Sequence, residues 1–154
     1  MSDVTAPRPY IPAFAGIYSA LEPYALPLLR VVMGLILFPH GCQKLFGWFG
    51  GAGFAKFTEI FDKIGWHPAA FWVAVVALTE CVGGLLLAAG FLTRFAAAAI
   101  LIFMINAVWF TSAKGFFWTQ GGSEYSLLIG TVALVFLIRG GGKCSVDRAL
   151  GREL

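Results

Sequence analysis

Residues 24–42 read YALPLLRVVMGLILFPHGC, a strongly apolar run that contains one arginine and one histidine. A helix needs about 20 mostly apolar residues to cross the hydrocarbon core of a bilayer, so this run is close to the required length. The whole chain has the same character: 59% of its residues are hydrophobic and 12% are charged. Soluble domains have about a quarter of their residues charged. We therefore predict an integral membrane protein.

Three further apolar stretches complete the predicted fold, which is an all-α membrane protein built as a four-transmembrane-helix bundle. The four predicted spans lie near residues 24–42, 69–90, 94–110 and 125–138. The fourth span is the shortest, and we expect its terminal charged side chains to extend toward the membrane surfaces.

The segments outside the spans have their own patterns. Phe54, Phe57 and Phe61 recur at helical spacing opposite charged residues, which predicts a short interfacial helix near 53–64 in the first loop. The predicted domains are an N-terminal tail with a short interfacial segment, a four-helix transmembrane domain and a cytoplasmic C-terminal tail, at residues 1–23, 24–140 and 141–154.

The distribution of cationic residues predicts the orientation. Four spans place both termini on one side of the membrane. That side would hold Arg8, Arg94, Arg139, Lys143, Arg148 and Arg152, and the other side would hold Lys44, Lys56, Lys63 and Lys114. The excess favours cytoplasmic termini in a multi-pass protein of the bacterial inner (plasma) membrane. We expect the first span to act as an uncleaved signal anchor.

Charged residues inside a span usually face the interior of a helix bundle. In the first span, Arg30, His40 and Lys44 fall on one face of the helix together with Gly34 and Gly41. Such a face suits close packing against another helix.

The second span carries Glu80, followed one turn later by Gly83 and Gly84, and we expect these glycines also to serve helix packing. A lone carboxylate in lipid is costly, so Glu80 should be protonated or paired. We predict an Arg30–Glu80 pair beside His40, the group able to titrate near neutral pH.

These residues define a predicted polar pocket that opens toward the outer face. The candidate catalytic residues are His40 and Glu80, and the candidate substrate-binding residues are Arg30, Lys44, Asn106, Glu124 and Tyr125. Two structural alternatives stay open. Arg30 and Glu80 can simply fix helix register as an ion pair, and His40 can bond a carbonyl group that Pro39 leaves without a donor.

The sequence lacks the patterns that mark several classes of functional site. Cys42, Cys81 and Cys144 form no CxxC pair, and His40 and His67 are the only histidines, so we predict no metal site. The chain has no nucleotide-binding loop or nucleophile motif. A formal net charge of +3 without a basic and aromatic run argues against nucleic acid as a partner.

Several short motifs, in order, resemble the DoxX family of membrane proteins. The resemblance rests on RVVMG at 30–34, HGCQKLFG at 40–47, ECVGG at 80–84, GFLTR at 90–94, GFF at 115–117 and GSEY at 122–125. It extends over roughly Leu28 to Asp147. It implies a four-helix membrane protein.

The resemblance also carries functional implications. Relatives include the membrane subunit of an archaeal thiosulfate:quinone oxidoreductase and a mycobacterial protein associated with a superoxide dismutase and a sulfurtransferase. It therefore implies a redox-linked membrane subunit. Because the predicted outer-leaflet pocket combines titratable groups with aromatic edges, we expect it to bind a quinone or a small sulfur-containing substrate, with no covalently bound cofactor. Whether the chain is itself a catalyst stays open.

Two other functions remain as alternatives. The chain could be a non-catalytic membrane anchor or assembly subunit for a soluble oxidoreductase, or a small-solute or proton transporter. The expected partners are the lipid bilayer, a soluble redox protein and further copies of the chain.

Overall fold

A computed structural model describes residues 9–153, and within that range it is entirely helical, with no β-strand. The six α-helices of this range are α1 (Ala15–Leu45), α2 (Gly53–Lys63), α3 (Ala69–Ala89), α4 (Thr93–Ser112), α5 (Glu124–Arg139) and α6 (Val146–Ala149). Short 3₁₀ turns occupy Pro12–Phe14, Trp48–Gly50 and Trp118–Gln120. The first eight residues of the predicted N-terminal tail lie outside the described range.

The helices α1, α3 and α4 are each long and apolar enough to cross a membrane. The predicted all-α membrane fold is confirmed at this level. Helix α5 has 16 residues, which corresponds to about 24 Å at 1.5 Å per residue. Because the hydrocarbon core is about 30 Å thick, a fourth crossing by α5 stays a prediction.

Helix α1 begins well before the predicted first span. It starts at Ala15 rather than near Tyr24 and continues through Pro23, Pro27 and Pro39. The short segment predicted to lie separately on the membrane surface is thus the first part of α1. Transmembrane helices tolerate proline where neighbouring groups satisfy the backbone carbonyls that it leaves without a donor.

Helices α1 and α3 pack closely because glycines face each other across the contact. A Cβ atom added at Gly34 would overlap the carbonyl oxygen of Gly84, and one at Gly41 would lie 2.6 Å from the Cβ of Cys81. The predicted packing role therefore fits Gly34, Gly41 and Gly84. Gly83 differs, because an added Cβ there would meet only the side chain of Ile100, at the ordinary distance of 3.9 Å.

The centre of the bundle is apolar and joins the four long helices. Its buried side chains include Leu37 on α1, Leu87 on α3, Ile100 on α4 and Phe136 on α5. This core separates the two ends of the bundle, and polar side chains collect at each end.

Candidate functional site

Glu80 is paired with Lys44 between α1 and α3. Lys44 Nζ donates to Glu80 Oε2 at 2.5 Å, and Glu80 is only 5% exposed. The ammonium group also lies 3.4 Å from the carbonyl oxygen of His40 and 5.5 Å from the ring centroid of Phe57 on α2. Three helices therefore enclose this pair. The expectation that Glu80 is paired is met, but its partner is Lys44.

The predicted Arg30–Glu80 pair is wrong. The contacts of Gly34 with Gly84 and Ala88 place Arg30 beyond Ala88, and the guanidinium group lies against Gly90. Glu80 is eight residues before Ala88 on α3, which is about 12 Å along the helix. Arg30 and Glu80 therefore belong to different ends of the bundle.

Arg30 binds the C-terminal segment instead. Its Nη1 donates to the carbonyl oxygen of Gly141 at 2.5 Å, and its Nη2 donates to that of Cys144 at 3.0 Å. The side chain is 2% exposed, and its Nε has no hydrogen-bond partner within residues 9–153. The arginine thus holds a loop of backbone against the end of the bundle.

Asp147 makes the second contact of that segment. Its carboxylate accepts hydrogen bonds from the Leu92 amide at 2.8 Å, the Thr93 amide at 2.9 Å and the Thr93 hydroxyl at 2.7 Å. Burial favours the neutral acid, but these hydrogen bonds and the charge of Arg30 outweigh it and lower the pKa of Asp147. The carboxylate therefore serves as the cap for the start of α4.

Arg94 and Glu153 make a third contact between the C-terminal segment and the bundle. Arg94 Nη1 donates to the carbonyl oxygens of Leu137 and Ile138 at the end of α5, and its Nη2 lies 3.3 Å from Glu153 Oε2. Residues 141–153, predicted as a tail, are thus packed on the bundle. Sequence reasoning did not identify Asp147, Arg94 and Glu153 as members of a site, and the run Gly140–Gly142 was the signal for a tight turn there.

His40 does not join Glu80. It is exposed on α1 and has no hydrogen bond to Glu80. Gly41, the next residue, faces Ala77 and Cys81 on α3. Consecutive residues of a helix point about 100° apart, so His40 is directed out of this contact.

A groove of about 660 Å³ lies between α3 and α4, beside the α2–α3 loop. Each helix contributes one face. The lining residues are Trp72, Val75, Val76 and Thr79 from α3, Ala99, Ile102, Phe103 and Asn106 from α4, and Gly65, Trp66 and His67 from the loop. Of the predicted site residues, the groove contains Asn106.

The groove is apolar along the helices and more polar near the loop. Asn106 Nδ2 donates to the carbonyl oxygen of Ile102 at 2.8 Å, and Trp72 Nε1 donates to that of His67 at 3.3 Å. His67 Nδ1 lies 3.2 Å from Asp62 Oδ1. The rings of Trp66 and Trp72 are 5.8 Å apart, in an edge-to-face arrangement.

The remaining predicted residues lie elsewhere. Glu124 Oε2 accepts a hydrogen bond from the Trp118 amide at 3.1 Å, within the loop before α5. Tyr125 lines a separate apolar groove of about 160 Å³ between α1 and α5, with Val32 and Ile36. The prediction of one common pocket is therefore wrong, because these residues lie on different helix faces and line different grooves.

Comparison with known proteins identifies relatives of this chain. The chain is 30% identical to an uncharacterized membrane protein of Mycobacterium tuberculosis, over 92% of this chain and 91% of that protein. It is 31% identical to an uncharacterized protein of Haemophilus influenzae, over 82% of this chain and 90% of that protein.

A third relative, from Bacillus subtilis, bears the name "Putative oxidoreductase CatD" and is 32% identical over 70% of this chain and 74% of that protein. No solved structure gives a significant match. The family model of DoxX matches residues 25–113, which include α1 from residue 25 onward, α2, α3, α4 and the Lys44–Glu80 pair. The protein therefore belongs to the DoxX family.

Proposed function

We propose that this protein is a redox-linked membrane subunit that binds a quinone ring in the groove between α3 and α4. The observation that carries the proposal is the groove of about 660 Å³, with apolar walls from two helices and polar atoms near the loop. Ligand sites of this kind combine mostly apolar walls with a few orienting polar groups. A quinone has a flat ring, two carbonyl acceptors and an apolar tail, which match those features.

Individual side chains have suitable chemistry for this ligand. Trp66 and Trp72 offer aromatic faces at the polar end of the groove. Asn106 uses one amide hydrogen for the Ile102 carbonyl and keeps a second for a ligand, and the hydroxyl group of Thr79 is a further donor. The imidazole of His67 lines the polar end of the groove and offers a hydrogen-bonding group to a quinone carbonyl.

The redox role is supported by the name of the Bacillus subtilis relative, which describes an oxidoreductase. We assign the electron donor to a soluble partner protein. The cationic residues of α5 and the C-terminal segment favour placing that end of the bundle in the cytoplasm, in the bacterial inner membrane.

Tryptophan fluorescence tests the proposal. Variants that keep a single tryptophan, either Trp72 in the groove or Trp109, are titrated with a short-tailed quinone in lipid nanodiscs. Trp109 is 84% exposed on α4 and reports collisions with quinone dissolved in the lipid. We expect saturable quenching of Trp72, reduced at least tenfold in apparent affinity by Asn106→Leu, and linear quenching of Trp109. Equal, linear quenching of both would refute quinone binding in the groove.

A second candidate, a non-catalytic anchor or assembly subunit, is favoured by the pairing of the buried charges. Glu80 binds Lys44, Arg30 binds two carbonyl groups and Asp147 accepts three hydrogen bonds. In this case Asn106→Leu should leave the activity of a co-purified partner unchanged, whereas Gly34→Leu should release the partner. Loss of that activity with Asn106→Leu would instead support a ligand-binding role.

A further inference from the structure

Two cysteines meet at one of the close contacts between α1 and α3. The Sγ atoms of Cys42 and Cys81 are 3.7 Å apart, and both residues are reduced and buried. The approach depends on Gly41, because a Cβ atom there would lie 2.6 Å from the Cβ of Cys81. The third cysteine, Cys144, is exposed on the C-terminal segment at the other end of the bundle.

We propose that Cys42 and Cys81 form a dithiol centre that a small hydroperoxide oxidises to a disulfide between α1 and α3. A disulfide has an S–S length of about 2.05 Å, so the two sulfur atoms must approach by about 1.6 Å from their present distance. Small rotations about the Cα–Cβ bonds supply a movement of that size.

The reaction proceeds in two balanced steps. Cys81 is 8% exposed and Cys42 is 0% exposed, so Cys81 is the thiol that meets the oxidant. Its deprotonated sulfur attacks one peroxide oxygen, the O–O bond breaks, and the products are a sulfenic acid and an alcohol, or water when the oxidant is hydrogen peroxide. The Cys42 sulfur then attacks the Cys81 sulfur, the S–S bond forms, and the sulfenic oxygen leaves as water with the proton of Cys42.

In total, two thiols give two electrons and two protons to one hydroperoxide. A small thiol restores the two cysteine thiols by disulfide exchange, so that two of its molecules are oxidised to one disulfide for each protein disulfide reduced. Because an oxidant reaches a buried sulfur atom less readily, we expect the pair to react more slowly than the exposed Cys144.

The position of the pair gives the disulfide a consequence for the neighbouring ion pair. Cys81 directly follows Glu80, and Cys42 lies two residues before Lys44. A covalent bond between these cysteines would hold α1 and α3 together close to the contact of Lys44 with Glu80. The centre is independent of the quinone groove, because the groove is lined by the face of α3 that contains Trp72, Val76 and Thr79.

The test uses the full chain with Cys144→Ser in lipid nanodiscs, exposed to hydrogen peroxide or to tert-butyl hydroperoxide. We expect a loss of about 2 Da in the intact mass, reversed by dithiothreitol, and a cross-linked peptide containing Cys42 and Cys81. Cys144 is exposed and lies outside the core, so this background carries no substitution at the contact between Cys42 and Cys81.

Matched variants then separate the two steps. In the Cys144→Ser background, adding Cys42→Ser should leave Cys81 as a sulfenic acid that dimedone traps, whereas the parent should give little dimedone adduct. The proposal fails if both thiols stay unmodified when the exposure is extended well beyond the time that fully oxidises Cys144 in the unsubstituted chain. It also fails if Cys81 accumulates sulfenic or sulfinic acid without a disulfide. Neither result bears on quinone quenching of Trp72.

Discussion

Arg30 Nη1 lies 2.5 Å from the carbonyl oxygen of Gly141, although 111 residues separate the two in the sequence. The guanidinium group is buried beneath the C-terminal segment and also binds the carbonyl oxygen of Cys144. Hydrogen bonds from a charged donor are stronger than those between neutral groups. One side chain of α1 thereby attaches the last part of the described chain to the bundle.

Replacing Arg30 should release that segment. We expect Arg30→Met to lower the free energy of unfolding by about 2–4 kcal/mol, because the buried carbonyl group of Gly141 and the partly buried one of Cys144 lose their donor while most of the side-chain volume is kept. Limited proteolysis should cut the chain near Gly142, and the fluorescence-detected unfolding curve should shift. The exposed Arg139, replaced by Met, is the control and should change stability by less than about 0.5 kcal/mol. Equal behaviour of the two variants would contradict this role.

Low pH should release the C-terminal segment, because Asp147 then becomes protonated. The pKa of Asp147 is lowered in the folded protein, so its contribution to stability is fully present above the ordinary aspartate pKa of about 3.9. That contribution is lost as the pH falls through the lowered pKa, because the carboxylate must then be protonated. Amide hydrogen exchange of residues 140–153 should therefore accelerate below about pH 4.

The control for this prediction is Asp147→Asn. This variant should exchange rapidly already at pH 6 and show no further acceleration from the titration of residue 147. Asp62→Asn, on the exposed α2, should keep the behaviour of the parent. Acid release that persists in Asp147→Asn would assign the effect to another group.

We expect the contributions of Lys44 and Glu80 to the free energy of unfolding to be strongly coupled. Lys44→Met leaves a buried carboxylate without its partner, and we expect a loss of about 3–5 kcal/mol in the free energy of unfolding. Glu80→Gln keeps the shape of the side chain and removes its negative charge. The double variant should recover part of the loss, because no uncompensated charge remains buried. A double-mutant cycle in nanodiscs measures this coupling.

The exposed pair Lys56–Glu59 on α2, with an N–O distance of 2.7 Å, is the matched control. Both of its side chains are 57% exposed, and we expect no measurable coupling between them. Additive losses in the Lys44 and Glu80 variants would show that their contact does not contribute to stability.

The helices could be predicted from sequence because their signals are local, whereas the pairing of the charged residues could not. The sequence shows that Arg30 and Glu80 are charged residues within two apolar spans, but the register of α1 on α3 depends on the contacts of Gly34 with Gly84 and Ala88. The groove between α3 and α4 could not be predicted from the sequence either. The spacing of Trp72, Val76 and Thr79 defines one helix face, but nothing in it indicates that the face lies opposite Asn106.

The C-terminal segment was missed for a related reason. Its glycines and charges are typical of a solvated tail, and its attachment depends on Arg30, Leu92 and Thr93, which are distant in sequence. The available signal in the sequence was an arginine inside an apolar span without a nearby acidic residue. Its partners were backbone carbonyl groups, which no sequence pattern marks.

The close contact between α1 and α3 provides the last prediction. Gly34→Ala should separate the helices, because the added methyl group overlaps the carbonyl oxygen of Gly84 and lies 2.7 Å from the Cβ of Ala88. Overpacking of this kind costs about 1–3 kcal/mol. Gly83→Ala adds the same atom where the nearest side chain is 3.9 Å away, and we expect it to be tolerated. Unfolding curves of the two variants measure the difference directly. A loss at Gly83 as large as that at Gly34 would mean that helix geometry, and not the glycine contact, determines how α1 and α3 pack.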